Sequence, residues 1–493
     1  MKRASGILMH ITSLPSKWGV GTLGEEAFRF VDFLKRSGQS YWQILPVGPT
    51  SYGDSPYQSY STFAGNPFLI DLDILEKEGL LYSEEYRNIN WGESNTRVSF
   101  DVLKSERFRI LKLAFSRFNT ESDEFIRFIR EEKSWLDDYA LYMALKENFE
   151  QKSWMEWERG LKLRVPEILH EYREKLKSEI CCWQFIQFEF SRQWNKLKKY
   201  AVSNGIEIIG DIPIYVALDS VDTWANQSLF QLDETGAPTS VSGCPPDAFS
   251  ATGQLWGNPI YRWNVHRETG YNWWMERIKA AQKRFDIIRI DHFRGFDAYY
   301  SIPYGNKTAE NGHWEIGPGW DFFSVMQEKL GDVRVIAEDL GFLTESVHKL
   351  LRKTGYPGMK VLQFAFDSRE QSSYLPHNFN RNCVVYTGTH DNDTIAGWFQ
   401  VIPEADAAFC KKYLRLNDEE GYHWGFIKGA WSSVADTAIA QMQDFLNLGP
   451  CARMNTPSTV GNNWKWRLEP GTLTEELAEK IREMTILYGR CHN

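Results

Sequence analysis

Short apolar runs that alternate with amphipathic stretches constrain the fold of this chain more than any other feature. Eight such runs are bounded by Gly, Pro, Asn or Asp: residues 6–11, 41–45, 206–210, 287–290, 333–337, 359–366, 383–387 and 451–454. Helical spacing of apolar residues marks 25–36, 321–330, 346–353 and 424–448 between them. A strand with no polar face must be covered on both sides, which implies a parallel sheet, and eight of them with return helices imply a closed barrel. The expected fold class is therefore α/β, a (β/α)8 TIM-type barrel. An open doubly wound sheet is the competing arrangement. The chain lacks a GxGxxG phosphate loop and ends several different strands in acids, both of which favour the barrel.

Two intervals are too long for a simple return. Residues 75–199 are rich in Glu, Lys, Arg, Leu and Trp with few glycines, which predicts a mainly helical insertion. Residues 217–274 are rich in Gly, Pro, Asn, Ser and Trp, which predicts ordered loops overhanging the barrel mouth. The expected layout places strands 1 and 2 with a substrate loop in 1–74, the helical subdomain in 75–199 and strand 3 in 200–216. The loop-rich insertion takes 217–274, and strands 4 to 8 with a closing helix over 474–487 take 275–493.

Composition excludes several function classes. Against 65 Asp and Glu stand 56 Lys and Arg, a net charge of -9, so neither nucleic acid nor an anionic membrane is an expected partner. No uncharged apolar run approaches the roughly 18 residues of a membrane span, and the apolar run after Arg3 is too short for a secretion signal, so a cytoplasmic location is expected. Seven scattered cysteines without a CxxC pair read as reduced, mostly buried thiols. The 20 Trp, 22 Tyr and 30 Phe exceed what a core needs and suit a ligand with flat apolar faces and polar rims, such as a sugar.

The chemistry sits where strands end. In Ile288, Arg289, Ile290, Asp291 the period of two puts Arg289 and Asp291 on one face, inside the barrel if the isoleucines pack outward. The guanidinium is expected to lower the pKa of Asp291, keeping it ionised as a nucleophile. A second strand runs into Glu338 and Asp339; an apolar pocket would let Glu338 hold and donate a proton, while Asp339 suits a cap or loop contact. Asp211 and Asp391 end two further strands, with His390 and His292 adjoining acids and available to sugar hydroxyls. Paired carboxylates of this kind serve retaining glycosyl transfer, and a third anion would stabilise the oxocarbenium-like charge. A metal site is the competing use of the same residue types, but no HExxH, CxxC or dense Asp loop accompanies them.

Four segments carry a resemblance: GDIPIY (210–215), RIDHFRGF (289–296), AEDLG (337–341) and THDNDT (389–394). Together with flanking stretches at 53–71, 245–261, 358–366 and 453–467, the chain resembles the amylomaltase family, 4-α-glucanotransferases related to α-amylases, over almost its whole length. The resemblance implies Asp291 as nucleophile, Glu338 as acid/base and Asp391 as transition-state stabiliser, with no cofactor and no essential metal. It implies substrate contacts from Tyr57, Asp211, Trp256, Arg289, His292, His390 and Asn463. The implied partners are maltooligosaccharides, amylose or other α-1,4-glucans as donors, with glucose or a maltooligosaccharide as acceptor. Ring faces at Tyr57 and Trp256 could stack on glucose. Two positions depart from the family: Ala248 stands where many relatives have an aromatic, and Asn462 stands where glycine is common, with Asn expected to tolerate a left-handed turn. An α-amylase-type hydrolase shares the first half-reaction, and a non-catalytic glucan-binding barrel would explain the aromatics but not the acid set.

Overall fold

The computed structural model describes residues 2–92, 94–246, 250–341 and 343–491. Among the described residues twelve strands follow in chain order. They are β1 (Ala4–Leu8), β2 (Tyr41–Gln43), β3 (Glu207–Ile212), β4 (Ser240–Cys244), β5 (Gln254–Pro259) and β6 (Ile287–Ile290). The remainder are β7 (Ala298–Pro303), β8 (His313–Ile316), β9 (Val335–Ala337), β10 (Gly358–Val361), β11 (Cys383–Tyr386) and β12 (Thr437–Gln441). Eight of them form one parallel sheet in the order β10-β11-β12-β1-β2-β3-β6-β9. The ring closes between β9 and β10, where the Ala337 N–H donates to Pro357 O at 3.0 Å. The fold is the expected (β/α)8 barrel.

Asp339 braces that seam. Its Oδ1 accepts the Met359 N–H at 2.6 Å, and a side chain at Gly358 would put its Cβ 2.3 Å from Asp339 Oδ2. The seam thus requires a carboxylate on one strand end and a bare backbone on the next. Helices coat the outside where their apolar stripes demand it. Glu25–Arg36 buries Ala27, Phe30, Val31, Phe33 and Leu34, starts with two acids and ends with two bases, as the helix dipole favours. Glu475–Leu487 packs nearby, capped by the Thr474 hydroxyl, which accepts the Leu477 N–H at 3.2 Å.

The eighth strand lies elsewhere than the sequence reading put it. Residues 451–454 begin in the short turn Pro450–Ala452, and the closing strand is β12, inside the interval read as one helix over 424–448. That interval breaks into the helix Tyr422–Ser432, β12, and the turn Met442–Phe445. The strand sequence TAIAQ is Ala-rich, so it carries little of the β-branched signal, and only its burial at all five positions identifies it. The sixth run is also shorter than expected, ending at Val361 before the turn Leu362–Phe364.

Between β2 and β3 lie helices from Leu72–Lys77 to the 27-residue Lys177–Ser203, which leads directly into β3. The interval after β3 contains β4, β5 and the helices Val221–Ala225 and Trp263–Glu268. With β7 and β8 these two strands form an antiparallel sheet in the order β5-β4-β7-β8. This side sheet escaped the sequence reading because it joins short strands from two different barrel connections. The seven cysteines are free thiols; Cys182, Cys383 and Cys410 are buried, while Cys451 is exposed, so burial is less general than expected. Among the described residues no helix is long and apolar enough to cross a membrane.

The seam generates a stability prediction. Asp339→Leu leaves the buried Met359 N–H without its acceptor and is expected to cost about 1–3 kcal/mol, read as a lower urea midpoint with unchanged slope. An unaltered midpoint would show that the seam does not depend on this carboxylate.

Candidate active site

Strand register assembles the site. Asp211 on β3 is paired directly with Arg289 on β6, so both side chains project to the same side of the sheet. Arg289 Nη1 donates to Asp211 Oδ2 at 2.6 Å and to Asp291 Oδ1 at 3.0 Å. Arg289 and Asp211 are almost fully buried, while the Asp291 side chain keeps 29% of its exposure. On the next strand the register pairs Ile290 with Ala337, so Asp291 and Glu338 are the following residues of two adjacent parallel strands. Neighbouring strands lie roughly 4.8 Å apart, which sets these two carboxyls side by side at the C-terminal rim.

Glu338 is held by backbone donors. His292 N–H donates to its Oε2 at 2.7 Å and Leu340 N–H to its Oε1 at 2.8 Å. His292 presents that N–H from the left-handed region, at φ +52°, an uncommon conformation for a residue with a Cβ. The strained turn directly after Asp291 is therefore what ties the two carboxylates together.

Asp391 comes from the loop after β11. Its Oδ1 accepts from Asn455 Nδ2 at 2.6 Å, and its backbone O accepts from Arg453 Nη2 at 2.6 Å. His390 Nε2 lies 3.5 Å from the same Oδ1. Tyr57 joins this group to the other side of the barrel: its hydroxyl donates to Asp211 Oδ2 at 2.8 Å, and its ring stacks on His390 at 5.0 Å and 18°. One Tyr57 face is thus already covered by an imidazole. Trp256, on β5, stands edge-on to His292 at 4.8 Å and forms a wall beside Tyr215.

Asn463 is tied to its own loop. Its Oδ1 accepts the Thr456 N–H at 3.0 Å and its Nδ2 donates to Thr459 O at 2.8 Å. Asn462 is not left-handed; the positive φ values nearby fall on Gly461 and Trp464, so no glycine-like turn rests on it. Ala248 lies outside the described residues.

Several contributors had no individual sequence signal, although Arg453, Asn455 and Trp464 fall in the resembling stretch 453–467. Arg453 and Asn455 matter only through their contacts with Asp391, and Trp464 lies 5.9 Å from both the Tyr57 and His390 rings. Buried His10 accepts the Leu45 N–H and lines a small cavity with His390, Gln441 and Trp466. A polar residue at the end of an apolar run was the available hint. Among the described residues no three His, Cys, Asp or Glu side chains gather as a metal ion would require.

Burial dominates the electrostatics. Asp291 is raised to about 6 by burial, with Asp211 and Asp391 adding to the rise against the pull of Arg289 and His390. Arg289 does pull it down, as expected, but the guanidinium is shared with Asp211 and desolvation of the carboxylate outweighs the attraction, so the net shift is upward rather than downward. Glu338 goes higher, to about 7, first through burial and then through the Asp291 charge. His292 falls to about 3 through burial and the nearby Arg294, and His390 is lowered mainly by burial. Both imidazoles are consequently neutral near pH 7, each with one donor and one acceptor nitrogen. The site therefore offers two adjacent carboxyls of unequal proton affinity, a third acid on the facing loop, and neutral hydrogen-bonding rings.

Comparison with known proteins places the chain in one family. The profile of the 4-α-glucanotransferase family matches residues 9–474. A 4-α-glucanotransferase of Clostridium butyricum is 53% identical over 486 residues, covering 98% of this chain and 100% of the relative. That of Thermus thermophilus is 46% identical, covering 98% of each. Among solved structures, the amylomaltase of Streptococcus agalactiae, in complex with acarbose, superposes with a TM-score of 0.97 at 43% identity over 100% of both chains. The amylomaltase of Corynebacterium glutamicum shares the fold at a TM-score of 0.77, 20% identity, and coverage of 99% of this chain and 75% of that one. The chain belongs to the 4-α-glucanotransferase family.

Proposed function

We propose that this protein transfers α-1,4-glucan segments between maltooligosaccharides by double displacement. Asp291 attacks the anomeric carbon while Glu338 protonates the departing glycosidic oxygen, leaving the non-reducing part of the donor as an ester on Asp291. Glu338, now ionised, takes the proton from the 4-hydroxyl of an acceptor, which attacks the ester and restores both carboxyls. Asp391 stabilises the oxocarbenium-like charge in each step. The observation that carries this reading is the pair itself: Asp291, bonded to Arg289, and Glu338, held by two backbone N–H groups, follow paired residues of adjacent strands, and the Asp291 charge raises the proton affinity of Glu338.

Arg289 and Asp211 serve in this scheme to hold Asp291, and His292, His390 and Tyr57 to receive sugar hydroxyls. Glucose or a maltooligosaccharide is the proposed acceptor. The Trp256 wall beside His292 supports transfer over hydrolysis, since a sugar bound against it meets the ester at an effective concentration that bulk water lacks.

Maltotriose alone should give glucose together with longer oligomers and no net gain in reducing ends, and Asp291→Ala should abolish the exchange. Chromatography of the products with a reducing-end assay decides it; reducing ends that grow with time would contradict transfer. The pair also fixes a pH dependence. Asp291 must lose its proton, so kcat/KM should rise through about pH 6, and Glu338 must keep its own, so it should fall beyond about pH 7, giving a bell whose limbs belong to the coupled pair. Initial rates that are flat across that range would contradict the assignment.

A further inference from the structure

Behind the loop that carries His390 and Asp391 lies a carboxylate outside the reaction scheme. Asp444 is 1% exposed, and no Lys, Arg or His forms an ion pair with it among the described residues. Both of its oxygens are used. Oδ2 accepts from the Thr387 hydroxyl at 2.6 Å, and Oδ1 accepts from the Ile395 N–H at 2.8 Å. Thr387 is the residue just past β11, and Ile395 is the first of the helix Ile395–Val401. One buried carboxylate therefore holds the two ends of the intervening loop, residues 388–394.

The segment that follows β12 grips the same loop at further points. Asp444 belongs to its first turn, Met442–Phe445, and Arg453 and Asn455 reach Asp391 from its far end. Asn455 N–H also donates to His390 O at 3.1 Å, and Gln443 Nε2 donates to Ala452 O at 3.2 Å, which keeps the segment folded on itself. A buried, unpaired carboxylate is costly and adds little stability that an apolar residue would not supply. Its two bonds do supply a fixed separation of the loop ends.

We propose that Asp444 is a positioning residue for the transfer reaction: by clamping Thr387 and Ile395 it sets where Asp391 stands relative to Asp291. This inference rests on the role given to Asp391 above. Displacement of a charge-stabilising group by about 1 Å costs on the order of 10²-fold in rate, so the clamp acts mainly on kcat, with a much smaller effect on substrate affinity through His390 in the same loop.

The test is maltotriose disproportionation by the full-length chain, with kcat, KM and the thermal midpoint measured for each variant. Asp444→Leu should lose on the order of 10²-fold in kcat with KM within about threefold of wild type. Asp444→Asn keeps both hydrogen bonds, with the Thr387 hydroxyl turning to accept, and should stay within about threefold of wild type in both parameters. Thr387→Val removes one leg at constant volume and should lose roughly tenfold in kcat, and Thr387→Ser should restore it. If Asp444→Leu fails to fold, the Thr387 pair decides. Full kcat in Thr387→Val, a loss that serine does not restore, or a loss in Asp444→Asn as deep as in Asp444→Leu would each overturn the clamp. Asp391→Ala separates the two ideas: activity retained there contradicts the proposed role of Asp391, whereas an inactive Asp391→Ala beside a fully active Thr387→Val removes only the clamp.

Discussion

The site depends on one guanidinium placed between the buried Asp211 and the half-buried Asp291. Arg289 is in register with Asp211 across β3 and β6 and two residues before Asp291 on its own strand, so a single side chain spans both acids. Without it, two carboxylates in a desolvated barrel interior would repel one another and take up protons. With it, Asp211 is fixed, Asp291 retains enough attraction to be ionised near neutral pH, and the rest of the rim can be built around a defined anion.

Sharing that guanidinium has a second effect. Asp291 receives only part of the compensation, and burial leaves it well above an ordinary aspartate. Among the described residues Glu338 has no ion-paired cation and is held by two backbone N–H groups instead, so it rises further, helped by the Asp291 charge. The difference between the two acids is thus a consequence of where the arginine stands. In the proposed mechanism it divides the labour between nucleophile and proton donor without any group being specialised by its own chemistry. The His292 turn adds geometric coupling, because the backbone that follows Asp291 is the donor that orients Glu338.

How much of this was legible in the sequence follows from the range of the signals. Period-two alternation placed Arg289 and Asp291 on one face, and strand-end acids could be recognised because apolar runs stop at them. The β12 strand was not legible, since a short run between two helical patterns, with only Thr437 and Ile439 β-branched and no breaker inside it, does not stand out from its helical surroundings. The side sheet was hidden because its partners are separated by the whole of β6 and its turn. The sign of the Asp291 shift was missed for a related reason: the sequence shows the arginine two residues away but not Asp211, which comes from another strand and competes for it. Contacts such as Asn455 to Asp391 or Tyr57 to Asp211 are likewise products of closure, invisible until the barrel brings distant segments together.

The most direct measurement of the central claim is chemical trapping on Asp291. In Glu338→Ala, α-maltosyl fluoride needs no proton donor to form the ester, whereas breakdown of that ester lacks its general base, so the intermediate should accumulate. Peptide mass spectrometry should then find one maltosyl group on the fragment carrying Asp291, in ester linkage to that residue. A maltosyl group on Asp391 or Asp211, or continued release of fluoride with no covalent adduct, would contradict the account.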